Sequence, residues 1–227
     1  TFDVIHVHSI NLLAEMAVLR LPKNVPVITT FHHDIVRQKL LRPFYMPVLK
    51  NFFRRCSHIV VSSQNYLEQS SLLQKYRHMC RVIPFGIDAS PLKQTDLVKK
   101  QMEKIKNKHR RFVLFIGRLV PYKGLPYLIE AMGGLDLELI IVGEGPLRCP
   151  LEKQSRKFKV KDRVHFVGKI DDPNLMAAYL HVCELVVLPS ISESETFGLV
   201  LLEAMSCRKP LVTTRLDSGV RWVNRNG

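Results

Sequence analysis

Nine short runs of β-branched and aliphatic residues recur along the 227-residue chain, and most are continuous rather than alternating with polar residues. They lie at residues 3–8, 25–30, 58–62, 80–84, 111–116, 137–142, 163–167, 184–188 and 210–214. A strand with one solvated face alternates, whereas an unbroken apolar run fits a strand covered on both faces, as in parallel sheets. Helical patterns lie between them, at residues 10–20, 36–55, 64–76, 124–133, 147–158, 173–181 and 198–207. Repeated strand–helix units give right-handed crossovers and a doubly wound α/β sheet. The rhythm breaks from Pro84 to Arg110, where Pro84-Phe85-Gly86-Ile87-Asp88 leads into a Lys-rich helical run. A domain boundary is expected there, with residues 1–108 forming one α/β domain plus linker and residues 109–227 a second. Sheets of this kind take ligands at the carboxyl ends of their strands, so a cleft between the two domains is the expected site.

Charge and composition narrow the partners. At 46% hydrophobic and 24% charged residues the chain is ordinary for a globular protein, which excludes disordered and collagen-like classes. No run reaches the roughly 18 apolar residues of a membrane span. The 34 Lys and Arg against 20 Asp and Glu give a net charge of +14. Residues 1–110 hold 18 basic and 7 acidic side chains, net +11, while the remainder is nearly neutral at +3. From Ile35 to Leu67 there is no acidic residue, and Arg37, Lys39, Arg42, Lys50, Arg54 and Arg55 interleave with Leu40, Phe44, Met46, Leu49, Phe52 and Phe53. Such a cationic amphipathic stretch, residues 37–55, suits an anionic membrane surface, or else a core helix with a solvated basic face, interrupted by Pro43 and Pro47. No nucleic-acid motif or aromatic platform accompanies the charge, so nucleic acid is not an expected partner.

Cys56, Cys80, Cys149, Cys183 and Cys207 are scattered and form no C-x-x-C pair, which fits a reducing, cytoplasmic compartment. His6, His8, His32 and His33 cluster on neighbouring strands, but no downstream His/Asp set at strand ends completes a metal shell, and no metal is expected. Both ends start or stop against strand-like sequence, and a chain beginning at Thr1 reads as an internal piece of a longer protein.

The nearly neutral half carries the informative loops. After the run at 111–116 comes Gly117-Arg118-Leu119-Val120-Pro121-Tyr122-Lys123-Gly124, two cations five residues apart on a Gly- and Pro-bearing turn. That suits a phosphate or diphosphate, through charge-assisted bonds and a helix start, although a solvated loop has the same composition. After the run at 184–188 a loop containing Glu195 leads to Phe197-Gly198-Leu199, where a glycine opens a helix and lets backbone approach a ligand. Glu203 follows among Leu201, Leu202, Ala204 and Met205. A carboxylate on so apolar a helix calls for a partner, such as a pair of sugar hydroxyls, or else faces solvent. Val142-Gly143-Glu144-Gly145-Pro146 and Phe166-Val167-Gly168-Lys169-Ile170 add glycine turns at two more strand ends.

These four blocks, in this order and spacing, resemble the nucleotide-sugar domain of a GT-B glycosyltransferase, most closely glycosyltransferase family 4, whose hallmark is two Glu separated by seven residues. Here they are Glu195 and Glu203. The first half is similar to the same family at residues 3–8, 29–32, 59–63 and 82–88, so the resemblance covers nearly the whole chain. It implies two Rossmann-like domains and a retaining, metal-independent hexosyltransferase that needs no cofactor. The donor would be a nucleotide-diphosphate sugar, GDP-mannose or a UDP-sugar. The acceptor would be a lipid-linked or polysaccharide glycan in cell-surface glycan synthesis, lipopolysaccharide included, at the inner face of the membrane.

Carried over residue by residue, Arg118 and Lys123 would hold the diphosphate, beside Gly117. Phe197, Gly198 and Leu199 would offer backbone N–H groups to sugar and phosphates, Glu195 would contact the donor sugar, and Glu203 the ribose. The turn Gly168–Ile170 would touch the base, and His32 matches the family's active-site histidine. The family's Gly-rich loop would precede Thr1 and its closing helices follow Gly227, so both domains are expected to be incomplete. A sugar-nucleotide epimerase or a phosphorylase shares the fold, and the Arg118/Lys123 and Glu195/Glu203 blocks argue against both.

Overall fold

The computed structural model describes residues 2–32 and 42–225. It divides into two compact units, Thr1–Phe85 with Asp217–Trp222 and Gly86–Leu216 with Val223–Gly227.

The first unit contains β1 (Ile5–Ser9), α1 (Leu12–Arg20), β2 (Val27–Phe31), α2 (Arg42–Arg55), β3 (His58–Val61), α3 (Gln64–Gln69), α4 (Ser71–Gln74) and β4 (Cys80–Val82). All strand pairs are parallel, in the order β1-β2-β3-β4. Val27, Phe31, Ile59 and Val61 from the strands meet Leu49, Phe52 and Phe53 of α2 in the core. The expected helix over 64–76 is two helices. Ser63 Oγ accepts from Tyr66 N–H at 3.2 Å and Ser70 Oγ from Leu73 N–H at 3.3 Å, so each serine starts a helix of its own.

Part of the expected helix over 36–55, including Arg37 and Lys39, lies outside the described residues. The remainder corrects the expectation that prolines interrupt it, because α2 continues through Pro47. Pro43 sits in the first turn, where its missing N–H has no intrahelical partner to lose. The cost of Pro47 is offset by packing, since Leu49, Phe52 and Phe53 are buried completely.

The second unit contains α5 (Asp96–Lys108), β5 (Phe112–Ile116), α6 (Leu125–Ala131), β6 (Glu138–Val142), α7 (Arg148–Lys157), β7 (Val164–Gly168), α8 (Pro173–Val182), β8 (Leu185–Leu188), α9 (Leu199–Ser206) and β9 (Leu211–Thr213). A final helix, α10 (Gly219–Val223), follows, and up to Trp222 it belongs to the first unit. The division between units therefore falls at Phe85/Gly86 rather than at 108/109. Val98 and Ile105 form a buried stripe of α5 in the second unit's core, beside Ala177, Ala178 and Leu180 of α8. His181 of α8 fastens the segment ahead of α5, donating from Nε2 to Leu92 O at 2.7 Å and accepting from Gln94 Nε2 at 3.1 Å.

The five parallel strands stand in the order β7-β6-β5-β8-β9. The chain winds outward from β5 through β6 to β7, then returns to the other side of β5 to lay down β8 and β9. The point of reversal lies between β5 and β8, and sheets of this kind bind ligands at the carboxyl ends of the strands at such a point.

Candidate functional site

The loops leaving β5 and β8 at this reversal point are the two that the sequence singles out. Main-chain bonds build the platform beneath them. Gly117 N–H donates to Val142 O at 3.0 Å, Leu119 N–H to Glu144 O at 2.9 Å, Leu147 N–H to Leu119 O at 3.1 Å, and Gly143 N–H to Gly168 O at 2.8 Å. The turns after β5, β6 and β7 are thereby laced together. Glycine is required in this lacing at Gly143, whose φ is +130° and where a Cβ would stand 2.1 Å from Gly117 O.

Pro121–Lys123 form a single 3-10 turn, ending at Gly124 with φ +68°. A Cβ on Gly124 would lie 1.9 Å from Pro189 O, so the β5 and β8 loops touch backbone to backbone. Ile191 N–H donates to Tyr122 O at 2.8 Å across the same seam. This close approach brings Lys123 Nζ to 2.5 Å from Glu195 Oε2, with only 12% and 10% of the two side chains exposed. Ser190, fully buried, donates from Oγ to the same carboxylate oxygen at 2.9 Å. Sequence reasoning missed Ser190; its one signal is its place at a strand end, five residues before Glu195.

The remaining candidates of this half lie on the turns after β5 and β7 and on α9 and the residues leading into it. Arg118 is exposed, and no ion-pair partner stands beside it among the described residues. Gly117 lies against Lys123, whose Nζ would be 3.6 Å from a Cβ there. Phe197 is buried, so it can offer a ligand only its main chain. Gly198 caps α9 in the left-handed region, with φ +76° and no side-chain cap, and Leu199 opens the helix exposed. Glu203 is half-buried on α9, and burial holds its carboxyl above the usual carboxylate range. Ile170 packs its side chain against the core, which leaves the turn's main chain and Lys169 facing outward.

His32 belongs to the first unit, at the end of β2. Parallel register sets His8 opposite Thr30, two residues before it. His8 Nδ1 and His32 Nε2 are 2.8 Å apart with rings 11° from parallel, and Phe85 lies nearly parallel to His32 at 5.8 Å. One of the two facing nitrogens carries the proton and the other accepts it. His6 Nε2 bonds Thr30 Oγ1 at 2.8 Å. His6, His8 and His32 are thus held in fixed orientations rather than left as loose strand ends.

A family model described as glycosyl transferases group 1 matches residues 98–227, and one described as Glycosyltransferase Family 4 matches residues 1–90. The D-rhamnosyltransferase WbpZ of Pseudomonas aeruginosa is 36% identical over 206 residues, covering 90% of this chain and 53% of that protein. O-antigen chain mannosyltransferase C of Escherichia coli is 31% identical over 226 residues, covering 99% of this chain and 60% of that protein. The chain therefore spans between half and two thirds of these relatives. Among solved structures, Anabaena Alr3699/HepE in complex with UDP and glucose superposes with a TM-score of 0.77 at 21% identity, covering 97% of this chain and 61% of that one. That likeness bears on the fold.

Proposed function

The chain belongs to the group 1 glycosyl transferases, with their GT-B arrangement of two parallel-sheet α/β domains, and from that premise we propose a retaining hexosyltransferase of cell-surface glycan synthesis. Its donor is a nucleotide-diphosphate sugar, GDP-mannose or a UDP-sugar, and its acceptor a lipid-linked or polysaccharide glycan. One observation carries the reading. At the reversal point of the sheet, two loops held backbone to backbone present an exposed Arg118 and a buried Lys123–Glu195 pair.

The diphosphate enters between Arg118 and Lys123. Both cations stand where negative charge grows as the nucleotide leaves, in a setting fixed before the reaction begins. Two cations in this position supply the charge stabilisation that a divalent metal provides elsewhere, so the transfer needs neither metal nor cofactor. Glu195, anchored by Ser190 Oγ, is positioned to accept from the donor sugar's hydroxyls once the diphosphate competes for Lys123. The uncapped first turn of α9 at Gly198 and Leu199, with the main chain of Phe197, binds sugar and phosphate oxygens. Glu203 takes the ribose hydroxyls, and the turn at Gly168–Ile170 the base. The acceptor attacks on the face the nucleotide leaves, and His32, oriented by His8, serves the transferring sugar.

The names of the mannosyl- and rhamnosyltransferase relatives support a hexose or deoxyhexose donor, and the O-antigen relative a glycan acceptor. No described helix is long and apolar enough to cross a membrane. Contact with the cytoplasmic leaflet would be peripheral and would use the α2 region, where Phe44 near its start is 81% exposed and Arg54 in its last turn is exposed as well. Only part of the basic stretch can serve, because Arg55 donates to Pro22 O and Val25 O at 3.1 and 2.7 Å.

The test is a donor screen of the full-length enzyme, scoring nucleotide release from UDP-, GDP- and ADP-sugars with and without glycan acceptor. Acceptor-dependent release lost in Glu195→Gln and Lys123→Met is the expected result. Interconversion of a sugar nucleotide with no acceptor present would favour an epimerase instead.

A further inference from the structure

Three residues from separate segments of the second unit meet at the opposite end of its sheet from the donor loops. His109 stands just before β5, Glu138 opens β6, and His165 is the second residue of β7. Glu138 Oε2 lies 3.0 Å from His109 Nδ1 and 3.2 Å from His165 Nε2, and the three ligand atoms all lie within 4.8 Å of one another. His109 and Glu138 are 4% and 14% exposed at their side chains, and His165 35%. The other carboxylate oxygen, Glu138 Oε1, receives Arg110 N–H at 3.4 Å, which fixes the carboxylate's orientation.

Hydrogen bonding alone accounts poorly for this trio. His109 Nδ1–H can donate to Glu138, but His165 Nε2 is buried and has no hydrogen-bond partner among the described residues despite the carboxylate 3.2 Å away. A misaligned proton there would be stranded, at a cost of about 1–3 kcal/mol. A cation shared with Glu138 takes up that lone pair. The proton it displaces from His109 Nδ1 moves to Nε2, which is likewise buried with no hydrogen-bond partner among the described residues, so the metal bonds must outweigh that cost. Metal bonds of about 2.0–2.1 Å to imidazole nitrogen and carboxylate oxygen set tetrahedral edges of roughly 3.3 Å, close to the two separations seen here. A cavity of about 480 Å³, lined by both imidazoles, gives access from solvent.

We propose that His109 Nδ1, Glu138 Oε2 and His165 Nε2 form a three-ligand site for a borderline-soft divalent cation, zinc being the best match, with a fourth position open to the cavity. Two neutral imidazoles and one carboxylate suit zinc and not calcium or magnesium, which ask for oxygen shells. His109 then carries its proton on Nε2. Lys108, Arg148, Arg156 and Lys161 line the same cavity, where their charge opposes the cation and favours an anion in the fourth position. The site pins the amino ends of three adjacent strands, β5, β6 and β7, which makes it a clamp on the sheet rather than part of the transfer chemistry. It is independent of the proposed activity.

Calorimetric titration of chelator-treated protein with zinc chloride tests the proposal, with cobalt(II) as a spectroscopic probe. One zinc should bind per chain and raise the melting temperature, and cobalt should give the visible bands of a tetrahedral nitrogen–oxygen site without a thiolate charge-transfer band. His165→Ala and Glu138→Gln should each weaken zinc binding on the order of 10–100-fold. Cys149→Ser, which removes the exposed thiol, should leave it unchanged. Unchanged affinity in His165→Ala, loss of binding in Cys149→Ser, or no binding by the wild-type chain would overturn the proposal. Should the histidine variant not fold, the cobalt spectrum of the unsubstituted protein decides between the same outcomes.

Discussion

Lys123 and Glu195 lie 72 positions apart in sequence and 2.5 Å apart in space, each about nine-tenths buried. Removing one member strands the other in a low-dielectric setting, which typically costs about 3–5 kcal/mol. Ser190 Oγ still bonds Glu195 when the lysine is lost, so the lower figure, about 3 kcal/mol, applies to Lys123→Met. For a chain of this length each kcal/mol moves the melting point by roughly 2–4 °C, so the loss should be about 6–12 °C. The pair replaced together, Lys123→Met with Glu195→Gln, leaves no stranded charge, and such replacements run from neutral to stabilising. The double variant should therefore recover most of the single-variant loss while releasing no nucleotide. Differential scanning calorimetry of the four proteins, with nucleotide release measured in parallel, closes the cycle. Stability losses that add to within about 0.5 kcal/mol would show that the two groups do not interact and would refute the argument.

Gly124→Ala places a methyl 1.9 Å from Pro189 O and should both destabilise the chain and abolish nucleotide binding, whereas Gly133→Ala, with nothing within 4 Å, should do neither; thermal melting and nucleotide titration check this. Burial raises the Glu203 pKa, so the folded state holds its proton more tightly than the unfolded one, and stability falls as pH rises from the unfolded value through the raised one. Glu203→Gln should accordingly raise the melting temperature at pH 7, with the gain fading toward pH 4.5 and below, while it weakens nucleotide binding through the lost ribose contact. Neutralising Arg37, Lys39 and Arg54 together should reduce co-sedimentation with anionic liposomes and leave binding to neutral ones unchanged; equal binding before and after would remove the membrane from the proposal.

The strands were legible because a sheet covered on both faces leaves an unbroken apolar run, and each of the nine runs became a strand. Helix limits depended on single side chains. Ser70 could not be recognised as a restart, since a serine inside a helical pattern looks the same whether or not its hydroxyl caps. Pro47 read as a break because the local cost is visible in sequence and the burial of Leu49, Phe52 and Phe53 that outweighs it is not. The domain boundary shifted for the same kind of reason: α5 is Lys-rich on its surface, but Val98 and Ile105 commit it to the second unit. In the site, glycine turns and cations could be read from local spacing. The ion pair could not, because it depends on a strand order that places β8 beside β5. The His109, Glu138 and His165 trio was hidden similarly, with each member on a different segment.

The lacing of the turns after β5, β6 and β7 by main-chain bonds has a consequence for how such a scaffold can diversify. Gly117, Leu119, Gly143 and Leu147 hold the platform through N–H groups that every residue except proline possesses. Outward side chains such as Glu144 and Lys169 can therefore be exchanged without shifting that platform. On the proposed function, a change of base or sugar preference then requires substitutions only at the rim, each testable singly, with the proposed phosphate contacts of Arg118 and Lys123 kept. The glycines carry the opposite burden: replacing Gly124 or Gly143 disturbs every donor alike, so neither offers a route to a new specificity.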